Sequence, residues 1–331
     1  MRSPLSAVTI VKTKTEKLCN LINQLEECSA TPDELIIVWM APPSDLSLIK
    51  SGKFDVVHKF ATQEALPIAK ARNKGMQAAK HVNLVYLNVD AVVSPALFKD
   101  GLLALQDNTV LYTSVVFLPS ERCNKPFLQI LKDEQTLGCT ASNDDSVAAN
   151  DSNETISGKQ EKNHGKFSDD SVCSTVFFIR KADFQQTGGF DEGYEGFGLN
   201  DEDFFTNCRA LGFSLEQLPI RTFAPHRPDN YCPINHLLDF VQNAQRFHSK
   251  WGFYPCISVL ERYAEKGYIN ANFKDCGIKI KQLPQKDEES SEDPTPKAEL
   301  MPNTSASSVG EKTFTSFHSP GKNLNVLSTT A

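Results

Sequence analysis

Apolar positions along the first part of the chain switch between two periods, and the switches mark the elements. Short continuous apolar runs at Ala7–Val11, Glu34–Met40 and Leu84–Val89 read as buried strands, joined by Asp55–Phe60 and Val110–Leu118. Between them apolar residues recur at helical spacing. Leu18, Leu21, Ile22 and Leu25 give Glu16–Cys28 one buried face; a second helix opens after Pro67 over Ile68–Lys80, and a third runs from Pro95 to Gln106. Strands alternating with helices predict an α/β fold, a doubly wound, mainly parallel sheet with helices on both faces. In such sheets ligands bind beyond the carboxyl ends of the strands. The pattern then lapses. Cys139–Val172 is rich in Ser, Asn, Asp and Lys with almost no large apolar residue, and reads as a disordered insertion. Order returns with a strand at Thr175–Ile179. Next come a helix with Phe204, Phe205, Cys208 and Leu211 inward, a short segment ending at His226, and helices over Ile234–Lys250 and Ile257–Lys266. From Leu283 to Ala331 the composition is that of a disordered tail, so the expected organisation is one domain over 1–282 followed by 283–331.

Composition narrows the function classes. With 331 residues, 40% of them apolar, the chain can bury a large core. A net charge of −7 gives no general footprint for nucleic acid or an anionic membrane. No apolar run approaches the roughly 18 residues of a membrane span, and the N-terminal run is too short for a signal peptide. The nine cysteines form no CxxC pair. An odd number without a secretory signal points to reduced thiols and a cytoplasmic protein, with Cys19, Cys28 and Cys208 as small buried hydrophobes.

Candidate chemistry concentrates in Gly188–Phe205, which packs six carboxylates among five glycines and five aromatic rings. Glycines let backbone approach a ligand, rings offer flat apolar walls, and acids offer a base, acceptors or metal ligands. Within it, Asn200-Asp201-Glu202-Asp203 opens a helix. Capping needs one acid, so three after Gly196-Phe197-Gly198 point to function. Asn88-Val89-Asp90 follows a buried strand. An NxD is ordinary turn sequence, but at a strand's carboxyl end Asp90 suits a divalent cation, Mg²⁺ or Mn²⁺, and Asn88 a sugar hydroxyl. His226, solitary, gains weight only beside these two sites. Arg72 and Asn73 add a cation and an amide at the same sheet edge.

These residues resemble inverting glycosyltransferases of family 2 with the GT-A fold, in the branch with a galactosyltransferase-like C-terminal region. The pieces that carry the resemblance are AVTIVKTKTEKLCNLI, PDELIIVWM, LPIAKARNKGMQAAKHVNLVYLNVD, GGFDEGYEGFGLNDEDFF and the histidine segment with NAQRFHSKWGFYP, in order. The resemblance implies a nucleotide-sugar donor, usually a UDP-sugar, a divalent metal and a glycan or other hydroxyl acceptor. By it Asp90 matches the metal-binding acid of the DxD motif, His226 the histidine closing the metal site, and Asp201 the catalytic base. Thr9, Ile10, Val11, Arg72 and Asn73 fall where the nucleotide is held, with Asn88 and Val89 beside it. Gly196, Phe197 and Gly198, with Asn200, Glu202 and Asp203, fall where donor sugar and acceptor meet. This chain departs from the pattern at Asn88 and Asn200, where relatives carry acids, and around Trp39 and Met40, where an acid near the uracil is usual. A register shifted by two would make Glu202-Asp203 the acidic pair; Asp201 keeps the glycine-to-acid spacing without an insertion. Two rival readings remain: a nucleotide-sugar-binding module that transfers nothing, and a nucleotidyltransferase, for which no Gly-rich phosphate loop follows the first strand.

Overall fold

The computed structural model describes residues 3–13, 15–43, 49–61, 67–118, 126–132, 175–225 and 234–284. The chain divides into Met1–Glu292 and Asp293–Ala331, and the second unit lies wholly outside the described residues. So do the expected insertion at 139–172, all but the first two residues of the expected tail, and His226.

Seven strands form one sheet: β1 (Leu5–Val11), β2 (Glu34–Trp39), β3 (Asp55–Phe60), β4 (Asn83–Leu87), β5 (Thr109–Leu118), β6 (Val176–Arg180) and β7 (Ser214–Pro225), in the order β3-β2-β1-β4-β6-β5-β7. β6 pairs antiparallel with both β4 and β5, and every other pairing is parallel. The mainly parallel sheet expected from the alternation is therefore present, with one strand reversed.

Helices cover both faces. Side chains of β1 alternate between them: Leu5, Ala7 and Val11 join Leu18, Leu21 and Leu25 of α1 (Thr15–Glu26) and Leu97 and Phe98 of α3 (Leu97–Ala104). Val8 and Ile10 face Ala71 and Met76 of α2 (Ile68–Ala78), Phe184 of α4 (Lys181–Thr187), and Phe204, Phe205 and Cys208 of α5 (Asn200–Ala210). A strand buried on both faces is apolar at most positions, which is why these strands read as nearly continuous apolar runs. A third core belongs to the C-terminal helices α6 (Leu237–Trp251), α7 (Ile257–Glu265) and α8 (Phe273–Cys276), which bury Phe240, Val241, Phe247, Leu260 and Tyr263 together with Tyr194 and Leu199.

Three expectations need correction. The segment before His226 is no short connector but the 12-residue strand β7, hidden in the sequence by Glu216, Gln217, Pro219 and Arg221 on its exposed side. Such residues belong on an edge strand, where proline forfeits no ladder bond and charge deters pairing with another chain. Leu211, expected inward, lies past the end of α5 and is 47% exposed. The expected helix at Ile234 begins with a single 3₁₀ turn, Ile234–His236, before α6.

Candidate functional site

The Asn88-Val89-Asp90 turn is built by its own first residue. Asn88 Oδ1 accepts from the Asp90 amide at 3.0 Å, while the Asn88 carbonyl accepts from Ala91 N at 3.0 Å and its amide donates to Thr175 O at 2.8 Å. Asparagine favours this local bonding to the backbone two residues on. Gln24 of α1 secures the far side, Oε1 accepting from Val93 N at 3.0 Å and Nε2 donating to Ala91 O at 3.4 Å. Val92 exchanges backbone bonds with Phe223 of β7 at 2.8 and 2.9 Å. Asn88 is thus committed to shaping the turn, Val89 is 9% exposed in the core, and Asp90 is left half-buried. Asp90 lines a cavity of about 260 Å³ with Asn20, Asn23, Phe127, Phe223 and Pro225. The next residue after Pro225, His226, lies outside the described residues.

On the opposite face, α2 reaches the acid-rich segment. Arg72, 5% exposed, sits 4.7 Å from the ring of Tyr86 in β4 and 5.0 Å from that of Phe190. Its NH1 donates to Asn200 Oδ1 at 2.6 Å and forms an ion pair with Asp201 Oδ1. Asn73, also 5% exposed, brackets Phe190, with Nδ2 donating to its carbonyl at 2.9 Å and Oδ1 accepting from its amide at 2.8 Å. A Cβ on Gly189 would lie 2.6 Å from Asn73 Oδ1, so this glycine is what lets the two come together. Arg72 and Asn73 therefore address the Gly188–Phe205 segment and are buried against it. Thr9, Ile10 and Val11 are sealed in β1 at 0%, 8% and 1% exposure, and among the described residues the Thr9 hydroxyl has no hydrogen-bond partner.

The acids at the mouth of α5 have separate surroundings. Among the described residues no side chain caps this helix: its N-cap is Leu199, in a left-handed conformation at φ 65°. Asp201 keeps part of its side chain, 28%, exposed while Oδ1 is buried against Arg72. Glu202 is half-buried with Oε1 3.6 Å from Cys256 Sγ. Asp203 is buried, accepting from Trp251 Nε1 at 2.7 Å, Lys250 Nζ at 2.8 Å and the Tyr194 hydroxyl at 3.1 Å. Burial first, and Asp203 second, push the Tyr194 phenol up, so Tyr194 stays protonated and donates. Asp203 faces inward, into its bonds with Trp251, Lys250 and Tyr194. Gly196 and Gly198 are left-handed at φ 67° and 91°, and Phe197 between them is half-exposed and stacks on His236 at 4.6 Å.

The donor set can be weighed against a divalent cation. Among the described residues no group of three His, Cys, Asp or Glu side chains could hold a metal. Asp90 is a single half-exposed carboxylate at a cavity, which fits a cation that brings most of its ligands as water and substrate phosphate, as Mg²⁺ commonly does.

Across residues 18–246, more than half of the chain, the sequence matches the family described as "Glycosyltransferase like family 2". The chain belongs to glycosyltransferase-like family 2. It is a glycosyltransferase by family, and the seven-stranded α/β sheet is the GT-A architecture expected of one. No curated protein sequence matches it. Among solved structures, TarS 1–349 of S. aureus shares 12% identity over 79% of this chain and 72% of its own, with a TM-score of 0.46. The mannosyltransferase PcManGT of Pyrobaculum calidifontis, in complex with GDP-Man and Mn²⁺, shares 12% over 80% and 69%, with a TM-score of 0.47. Overlaps this loose leave the family match to decide the assignment.

The sequence reading passed over Tyr86 and Phe190, which flank Arg72, and gave no role to α6. A signal for α6 was present: Asp239, Asn243, Arg246 and Lys250 recur at helical spacing among residues that are otherwise mostly apolar or aromatic.

Proposed function

We propose that this glycosyltransferase moves a sugar from a nucleotide-sugar donor, a UDP-sugar by family resemblance, to a hydroxyl of a glycan, with inversion and with Asp201 as general base. One observation supports this most: Arg72, buried between Tyr86 and Phe190, holds both Asn200 and Asp201 at the mouth of α5. Two motifs far apart in the chain thereby meet beside β4, the strand that delivers Asp90. An ion pair with guanidinium is a pairing of the ionised carboxylate, the form a base requires. The acceptor oxygen would pass its proton to the exposed part of Asp201 as it attacks the anomeric carbon. The bond from that carbon to the diphosphate oxygen breaks, and the electron pair leaves with the nucleoside diphosphate. Phe197, half-exposed between two left-handed glycines, offers an apolar face to a sugar ring. Asp90, with His226, would hold a divalent cation, Mn²⁺ or Mg²⁺, and when bound that cation offsets the charge of the departing diphosphate.

Asp201→Asn is the direct test. General-base catalysis contributes about 10²–10⁴-fold, so nucleotide release in the presence of acceptor should fall on that scale in a protein that stays folded, although loss of the Arg72 ion pair lowers its melting temperature. Turnover at the wild-type rate would remove Asp201 from the role.

A second reading, nucleotide-sugar binding without transfer, is favoured by the uncharged Asn200 and by the engagement of Arg72 with both residues. Calorimetry with UDP-sugars and Mn²⁺, run beside nucleotide-release assays over varied acceptors, separates the two. Heat without release selects the binding module.

A further inference from the structure

The helix α6 has two faces with different tasks. Leu237, Phe240, Val241, Ala244 and Phe247 bury into the C-terminal core and suffice to dock it. The other face carries Asp239, Asn243, Arg246 and Lys250, spaced four, three and four residues apart, which stacks them in one row. All four bond to a single stretch of chain, the segment from Asp191 to Asp203 that carries Asp201.

The bonds follow the row. Asp239 Oδ2 accepts from Phe197 N at 3.1 Å. Asn243 Nδ2 donates to the carbonyls of Glu195, Phe197 and Gly198 at 2.9, 3.2 and 3.0 Å. Arg246 NH2 reaches both oxygens of Asp191 at 2.8 and 3.0 Å. Lys250 Nζ meets Asp203 at 2.8 Å, and its neighbour Trp251 meets the other oxygen of Asp203 at 2.7 Å. The row comes so near that a Cβ on Gly193 or Gly196 would lie 2.2 Å from Arg246 or Asp239 atoms.

This stretch has reason to need an outside mould. Gly196, Gly198 and Leu199 all have positive φ, at 67°, 91° and 65°, a conformation that is strained for leucine. Asn243, itself 2% exposed, donates to three carbonyls of this stretch, those of Glu195, Phe197 and Gly198. Asp203, two residues beyond Asp201, fixes the first turn of a helix that no side chain caps.

We propose that Asn243 is a positioning residue for Asp201, and that the polar row of α6 moulds the segment into its active shape. The proposal rests on reading Asp201 as the base. Asn243 touches no reacting atom; it fixes the backbone from which α5 starts.

The test uses the full chain with Asn243→Leu, which keeps side-chain size and removes the donor. Hydrogen exchange of the ligand-free protein is followed by kinetics with saturating acceptor. Amides of residues 194–203 should exchange about tenfold or more faster while β1 and β4 stay protected, since local opening need not involve the core. The turnover number should fall about 10–100-fold with donor KM within about twofold, because a small misplacement of a catalytic group costs rate before affinity. Unchanged exchange in this segment overturns the proposal, as does exchange that rises equally in β1 and β4, or a turnover number like the wild type's. If Asn243→Leu does not fold, Asp239→Ala removes the acceptor of the Phe197 amide, together with a 3.8 Å contact to His236, from a half-exposed side chain, and the same pattern, weaker, is expected. The exchange result stands even if no donor is ever turned over, so failure of the transferase reading and failure of this proposal are told apart.

Discussion

Arg72 holds two positions at once, in a packing layer and in an ion pair, and removing it should expose both. Arg72→Met keeps the bulk between Tyr86 and Phe190 but leaves the Asp201 carboxylate facing an apolar stem. A stripped buried pair costs about 3–5 kcal/mol; with Asp201 28% exposed, screening should reduce this to about 1–3 kcal/mol, read from the urea midpoint. The double variant Arg72→Met/Asp201→Asn should recover part of that loss, because the charge that faced Arg72 is gone. If the double variant is less stable than the single, the ion pair is not what Arg72 contributes. The sequence exposed this site unevenly. Asp90 and Asp201 stood out by residue type and by place at strand and helix ends. The inward roles of Asn73, Asn88 and Asp203 did not, because an amide or acid looks the same whether it meets a ligand or a backbone amide.

At the scale of elements, the helices that cover the sheet are held closer than side chains ordinarily allow. A Cβ on Gly75 of α2 would lie 2.4 Å from Val8 Cγ1, and one on Gly101 of α3 2.5 Å from the Phe178 ring. Alanine is favoured over glycine inside an isolated helix by about 1 kcal/mol. Gly101→Ala should nevertheless destabilise by about 1–3 kcal/mol, since overpacking against a fully buried ring must move the helix. A raised melting temperature for this variant would show that α3 has room to shift. The tie between the acid-rich segment and α6 should also respond to pH. Burial raises the Asp191 carboxyl, but the Gly193 amide and Arg246 outweigh it, and the folded value lies below the ordinary one. Its contribution is then complete above about pH 4, the unfolded value, and is lost as pH falls through the folded one. Asp191→Asn should lower stability near neutrality by that contribution while changing it little at low pH, so that the acid limb flattens; an unchanged acid limb would exclude the tie. Elements with one clear period were legible from sequence. β7 was not, because an edge strand shows its polar side to solvent and blurs the apolar run. Nor was α4, too short at 7 residues to display a period.

For the molecule as a whole, a ligand that binds only the folded state stabilises it by mass action, by about 2.7 kcal/mol at a hundred times its dissociation constant. UDP together with Mn²⁺ should therefore raise the melting temperature more than either alone. Adding EDTA, or the substitution Asp90→Ala, should abolish the difference. Equal shifts with and without metal would argue against a cation at Asp90. Among the described residues no helix is long and apolar enough to cross a membrane. The reversed strand β6 has a separate consequence. Its first residue, Val176, pairs with Leu87, the last of β4, and the preceding Thr175 bonds to Asn88. β5 runs the other way and ends at Leu118, which lines the same cavity as Asp90. Between Leu118 and Thr175, Pro126, Phe127 and Ile130 line that cavity too, so the stretch that leaves the sheet at Leu118 supplies part of the pocket's own wall. Phe127→Ala should therefore alter ligand binding at this pocket although it lies far in sequence from every motif at the sheet edge, and titration with UDP and Mn²⁺ checks it.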